Sequence, residues 1–123
     1  MGKDARYRRL HPMLRVVTFD NDERGKTRFQ RLYQAMILAQ IKEDRTLEIM
    51  RREASILDKL EAISVMVKGE RVVEPDADLA LTVQEHTLLA SYILKVPWTT
   101  TASKSVVDAA DFLEAADKVE EAN

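Results

Sequence analysis

From Lys26 to Lys68 the chain runs without a single Gly or Pro. This is the feature that most restricts how it can fold. Across the run, Phe29, Leu32, Tyr33, Met36, Ile37 and Gln40 recur at helical spacing. After the charged stretch Lys42-Glu43-Asp44-Arg45, Ile49, Ile56 and Ile63 fall seven apart, with Leu60 and Val67 four beyond the second and third. Met50 and Leu57 widen the stripe. Gly69 then supplies a C-terminal stop. The pattern predicts a helix over 26–69, about 40 residues and roughly 60 Å long at 1.5 Å per residue. Such a rod is long for a small domain, so two forms compete. It either folds back near Lys42–Arg45, or stays straight and needs a partner. Residues 42–46 contain no Gly, Pro or Asn, and that absence of turn chemistry favours the straight form. The stripe Ile49, Ile56, Leu60, Ile63 and Val67 is then an oligomer seam, or the face that packs on the chain's own C-terminal helices.

The flanks read differently. Residues 1–25 form a basic arm with no steady apolar period. Within it Val16, Val17, Thr18 and Phe19 make a short β-prone run ended by Asp20-Asn21-Asp22. It is an edge strand or an extended segment, and alone it cannot build a sheet. Residues 70–81 form a linker in which Pro75 stops any helix from running through. Thr82-Val83-Gln84-Glu85 is a capping box, which starts a helix whose apolar face is Leu88, Leu89, Tyr92, Ile93 and Val96. Pro97 ends it. Thr99, Thr100 and Thr101 offer hydroxyls to cap a last helix over about 102–121, with the stripe Ala102, Val106, Ala109, Ala110, Leu113 and Ala116. Residues 82–123 are thus a helical hairpin turning at Pro97-Trp98. The expected fold is all-α: basic N-terminal arm, long central helix, C-terminal helical hairpin.

Charge is unevenly spread. Residues 1–31 carry a net +5, residues 32–71 are neutral, and residues 72–123 carry −7, for a total of −2. A basic head and an acidic tail imply an anionic partner for the head, or head-to-tail contacts between copies. Arg6, Tyr7, Arg8, Arg9 and Arg15 are the candidate partner-binding residues of the head, since arginine forks suit carboxylates and phosphates. Trp98, the one tryptophan, is either the plug of the helical hairpin or an exposed binding anchor. Asp108, Asp111, Glu114 and Asp117 fall three apart on the last helix. They make a solvated stripe or a docking face for a basic surface.

Little points to catalysis. There is no cysteine, which removes thiol nucleophiles, disulfides and Cys-based zinc sites. The two histidines, His11 and His86, stand in no metal-binding spacing. Phosphate-cradling glycine loops and a nucleophile elbow are missing from the sequence. The expectation is a non-enzyme with no cofactor and no metal. No segment reaches the roughly 18 apolar residues of a membrane span. With no convincing signal peptide at the N-terminus, the expected place is the cytoplasm of the producing cell.

The stretch LALTVQEHTLLASYILKVPWTTTASKSVVDAADFLEAADKV resembles the C-terminal part of small proteins encoded in phage structural-gene clusters. They share a Leu-Thr-x-x-Glu-His helix start, a Pro-Trp corner and an alanine-rich final helix. The resemblance covers about a third of the chain and transfers no functional residue. It implies a role in virion structure or assembly through protein contacts, copies of the chain itself among the partners. Two other classes remain open. One is a nucleic-acid-binding regulator using residues 1–31. The other is a small inhibitor of a host protein using the acidic last helix.

Overall fold

Helix α1 (Glu23–Leu38) starts where the Asp22 carboxylate accepts the N–H of Gly25 at 2.8 Å. That cap satisfies one of the four N–H groups every helix start leaves unpaired. Gly25, Phe29, Leu32 and Ala35 then form the buried stripe. The computed structural model describes residues 13–120. Among these it has four α-helices and five strands, so the fold is mixed α/β and the all-α expectation is corrected.

The expected 40-residue helix is two helices. At Ala39 the backbone turns extended, with ψ of 132°. Helix α2 (Leu47–Ala62) begins again at Thr46, whose hydroxyl accepts the Ile49 N–H at 3.2 Å. Between them the Gln40 N–H donates to the Lys95 carbonyl at 2.9 Å, and Ile41 packs on the core. Breaking the rod forfeits a few helical hydrogen bonds, each worth about 0.5–1.5 kcal/mol net, and Thr46 and the Lys95 carbonyl replace part of that. Folding back places Ile56 and Leu60 in the chain's own core, fully buried. Burying each is worth about 1.5–3 kcal/mol, so the broken form wins without a partner chain. The turn needs no Gly because Thr46 supplies the restart.

The second correction concerns Ile63 to Thr82. Helix α2 ends at Ala62, and β2 (Ser64–Val67) pairs antiparallel with β3 (Glu70–Val73). Lys68 and Gly69 join them, at φ of 51° and 79°. Positive φ at both central residues is the two-residue hairpin turn whose twist matches the strands. Gly69 is therefore a hairpin residue and not a helix stop. Pro75 and Asp76 turn the chain into β4 (Asp78–Thr82). The segment expected to be a plain linker thus contributes two strands.

One of those strands, β4, gives the β-prone run a partner. Strand β1 (Met13–Thr18) lies in the middle of a three-stranded antiparallel sheet, with β4 on one side and β5 (Asp117–Glu120) on the other. Helix α3 (Val83–Ile93) follows β4 directly, Thr82 being both the last strand residue and the N-cap. A 3₁₀ turn (Thr100–Ala102) leads into α4 (Ser103–Glu114). The threonine hydroxyls do not cap α4, and the helix ends at Glu114 so that its expected last turn becomes β5.

The core lies between one face of this sheet and the helices. Phe19, Phe29, Leu32, Ile56, Leu60, Leu79, Leu81, Leu89 and Leu113 are its fully buried large side chains. Phe19 meets Phe29 edge-on at 5.7 Å and Phe112 at 5.2 Å, joining β1 to α1 and α4. Helix α1 turns off β1 so tightly that a Cβ on Gly25 would sit 1.9 Å from the Asp20 carbonyl oxygen. Gly25→Ala should therefore force the loop apart. Its expected cost is on the order of 1–3 kcal/mol, read as a lower urea midpoint with an unchanged m value.

Candidate functional site

Two polar nodes hold the helices and are the first places to look for chemistry. At the first, the capping-box residue Glu85 is buried, at 4% exposure. Its Oε1 accepts the Thr82 N–H at 2.9 Å and the Lys59 ammonium at 2.5 Å, and its Oε2 accepts the Ser55 hydroxyl at 2.5 Å. Ser55 and Lys59 are one turn apart on α2, so the three groups bring a hydroxyl, an amine and a carboxylate together. Burial pushes the Glu85 pKa up, but the hydrogen bonds from Lys59, Ser55 and Thr82 outweigh it, and the pKa lies below the usual range. A carboxylate stabilised in its charged form is a weak base. Its three acceptor contacts are already filled, and the node acts as a clamp between α2 and α3.

The second node is Asp108 on α4. Arg24 and Arg28, one turn apart on α1, reach it at 2.7 and 2.8 Å. Their hydrogen bonds, Arg28's first, hold its pKa far below the usual range. The Arg28 guanidinium also lies 4.6 Å from the Phe112 ring centre. One turn further on, Arg31 donates to the Ser105 hydroxyl at 2.9 Å. The basic stripe of α1 is thereby zipped to α4. Between α2 and α3, the Tyr92 hydroxyl donates to Glu53, and burial with that carboxylate raises its pKa.

Of the candidate partner-binding residues, Arg6, Tyr7, Arg8 and Arg9 lie outside the described residues, as does His11. Arg15 lies in the central strand, with its guanidinium 3.4 Å from the Glu114 carbonyl. Trp98 is half-buried at the corner; its indole N–H donates to the Ile93 carbonyl at 2.8 Å, and Arg31 lies over its ring. Beside it a groove of ≈ 370 Å³ runs past Arg31, Gln34, Leu38 and Thr99. Along the expected stripe, Ile49 and Ile63 are half-buried, Ile56 and Leu60 are in the core, and Val67 is exposed on β2. The acidic row is split, because Asp108 is paired, Asp111 and Glu114 are exposed, and Asp117 opens β5. His86 makes an interhelical hydrogen bond from Nε2 to the Leu113 carbonyl at 2.7 Å.

The β2–β3 hairpin is an exposed apolar ribbon, and of its residues only Val67 belongs to the stripe read from the sequence. Val65, Met66 and Val67 are 46%, 57% and 47% exposed. Val65 lies opposite Val72, so Val65, Val67 and Val72 share one face of the ribbon. The signal is five apolar residues around Lys68-Gly69, Val65, Met66, Val67, Val72 and Val73, but the helical heptad through Val67 conceals it. Among the described residues no three His, Asp or Glu side chains converge on a metal-sized site, and no helix is long and apolar enough to cross a membrane. No known protein family, curated protein or solved structure matches the chain.

The Glu85 clamp has a pH signature. A carboxylate with a lowered folded-state pKa stabilises the fold above its unfolded pKa, about 4.3 for Glu, and loses that contribution as pH falls through the folded value. Glu85→Gln keeps the shape and removes the charge. It should cost about 1–3 kcal/mol at pH 7, and the gap from the wild type should close as pH drops below about 4. Urea titrations of both proteins at several pH values measure this. A gap that stays constant down to pH 2.5 would show that the charge of Glu85 contributes nothing.

Proposed function

We propose that this chain is a non-catalytic interaction protein, an assembly or adaptor component that works through protein–protein contacts. The observation that carries the reading is the apolar hairpin. A small domain that buries Phe19, Phe29 and seven other large side chains still leaves Val65, Met66 and Val67 on an exposed two-stranded ribbon. Contiguous exposed apolar surface of this kind marks contact sites. The resemblance of the C-terminal third to proteins of phage structural-gene clusters favours virion assembly as the setting. We place the chain in the cytoplasm of the producing cell or in the particle it helps to build.

The nucleic-acid reading has less support. It draws on the basic residues of 1–31, and Arg24, Arg28 and Arg31 are already engaged by Asp108 and Ser105. An inhibitor reading based on the acidic last helix is weakened in the same way, since Asp108 is neutralised and Asp117 is on a strand.

Val65→Thr with Val67→Thr removes the apolar face while keeping β-branched side chains in the ribbon. Both sites are exposed, so stability should change by no more than about 0.5 kcal/mol per site. In cells that make the protein, the wild type should co-sediment with a large assembly and crosslink to it through the hairpin. The double variant should lose about tenfold or more of that association, equivalent to about 1.4 kcal/mol. Equal co-sedimentation of variant and wild type would remove the hairpin as the contact. Wild-type protein recovered only as free chains would remove the assembly role.

A further inference from the structure

Strand β5 ends the three-stranded sheet, and all four of its residues are exposed. One of its edges is hydrogen-bonded to β1. The alternation of an antiparallel ladder decides which groups the other edge presents. Just past β1 the Phe19 N–H donates to the Ala77 carbonyl, continuing the β1–β4 register. Counting back in twos, Val17 and Arg15 turn their backbone groups to β4, while Val16 and Leu14 turn theirs to β5. Their partners on β5 are Asp117 and Val119. The N–H and C=O groups of Lys118 and Glu120 therefore point away from β1, along an edge that no described residue pairs. Val119, 43% exposed, shares the sheet face of its neighbours Leu14, Val16 and Ala80, and none of these belongs to the core cluster.

We propose that β5 is a self-association edge: two copies pair β5 to β5, antiparallel, about a twofold axis at Val119, and form one six-stranded sheet. This rests on the reading that the chain works through protein contacts, and it names a second copy as one partner. Symmetry limits the registers. A twofold axis through an antiparallel ladder must place a residue opposite its own copy, because adjacent pairs alternate between hydrogen-bonded and non-hydrogen-bonded types. An axis at Asp117, Lys118 or Glu120 sets identical charges directly opposite, which is destabilising. An axis at Val119 sets valine against valine and Lys118 against Glu120 twice. The same register brings the outward N–H and C=O of Lys118 to those of Glu120 in the second copy, so all four outward groups of each edge are paired. The central Val119 pair is then of the non-hydrogen-bonded type, with Cα atoms about 4.5 Å apart. The faces carrying Leu14, Val16 and Ala80 become one continuous surface.

The test uses the full chain and its mass in solution, by sedimentation over a range of concentrations. The wild type should reach twice its 14.1 kDa. Lys118→Glu and Glu120→Lys each set like charges opposite one another, and each should weaken the dimer about tenfold or more. Mixed in equal amounts, the two variants should pair with each other, and the double variant K118E/E120K should dimerise again. Lys118→Pro should also give monomers with an unchanged far-UV spectrum, because it removes an N–H that β1 does not use and proline is tolerated on an open edge. Three results would overturn the pairing: a wild type monomeric throughout, single variants that dimerise as well as the wild type, or a mixture that stays monomeric. A monomeric wild type that still binds its assembly through the hairpin would reject this edge while leaving the binding role intact.

Discussion

Every strand has two edges of backbone N–H and C=O groups, and leaving them buried without partners is costly. Strand β1 satisfies both of its edges, and the rest of the structure depends on that. One edge takes β4, the strand that runs straight into α3; the other takes β5, which follows directly from α4. Pairing β1 therefore fixes the start of one helix and the end of another. Phe19, the residue after Thr18, then reaches into the middle of the helices and touches Phe29 and Phe112. The last helix is short because its C-terminal residues are needed as strand.

Much of the C-terminal half was legible in the sequence. The capping box at Thr82 and Glu85 has both of its reciprocal hydrogen bonds, and the corner at Pro97-Trp98 lies between two helices. These features are local, set by a few neighbouring residues. The sheet was not legible, because strands of four to six residues depend on partners far away in sequence. Asp117-Lys118-Val119-Glu120 carries no β signal of its own and becomes a strand through β1. Val65 to Val67 did carry one, but a heptad that continued from Ile49 through Ile63 to Val67 masked it. The break at 39–46 is one of the two forms the sequence leaves open, disfavoured there by the lack of Gly, Pro and Asn, whereas the helix is stopped by a tie to the Lys95 carbonyl and restarted by Thr46.

The candidate site shows the same division. Arg6, Tyr7, Arg8 and Arg9 stand out by charge density and lie outside the described residues. Arg15, of the same basic head, is a strand residue held against the end of α4. The residues that stand out structurally, Val65, Met66, Val119 and the backbone of Lys118 and Glu120, have no motif. Only the strand pairing reveals which of their groups no described residue uses.

The polarity of the chain gains a physical meaning from these contacts. A head of +5 and a tail of −7 invite the idea of copies meeting head to tail. Part of that attraction is spent within one chain, where Arg24 and Arg28 close on Asp108 and Arg15 caps the Glu114 carbonyl. Arg28 and Asp108 are the better shielded members of this set, at 15% and 26% side-chain exposure, so their contact is less open to screening by salt than the Arg24 pair at 67%. Among the described residues, the contacts proposed with other molecules draw on short-range features: apolar side chains on a ribbon, and a strand edge whose charges favour one register over its neighbours.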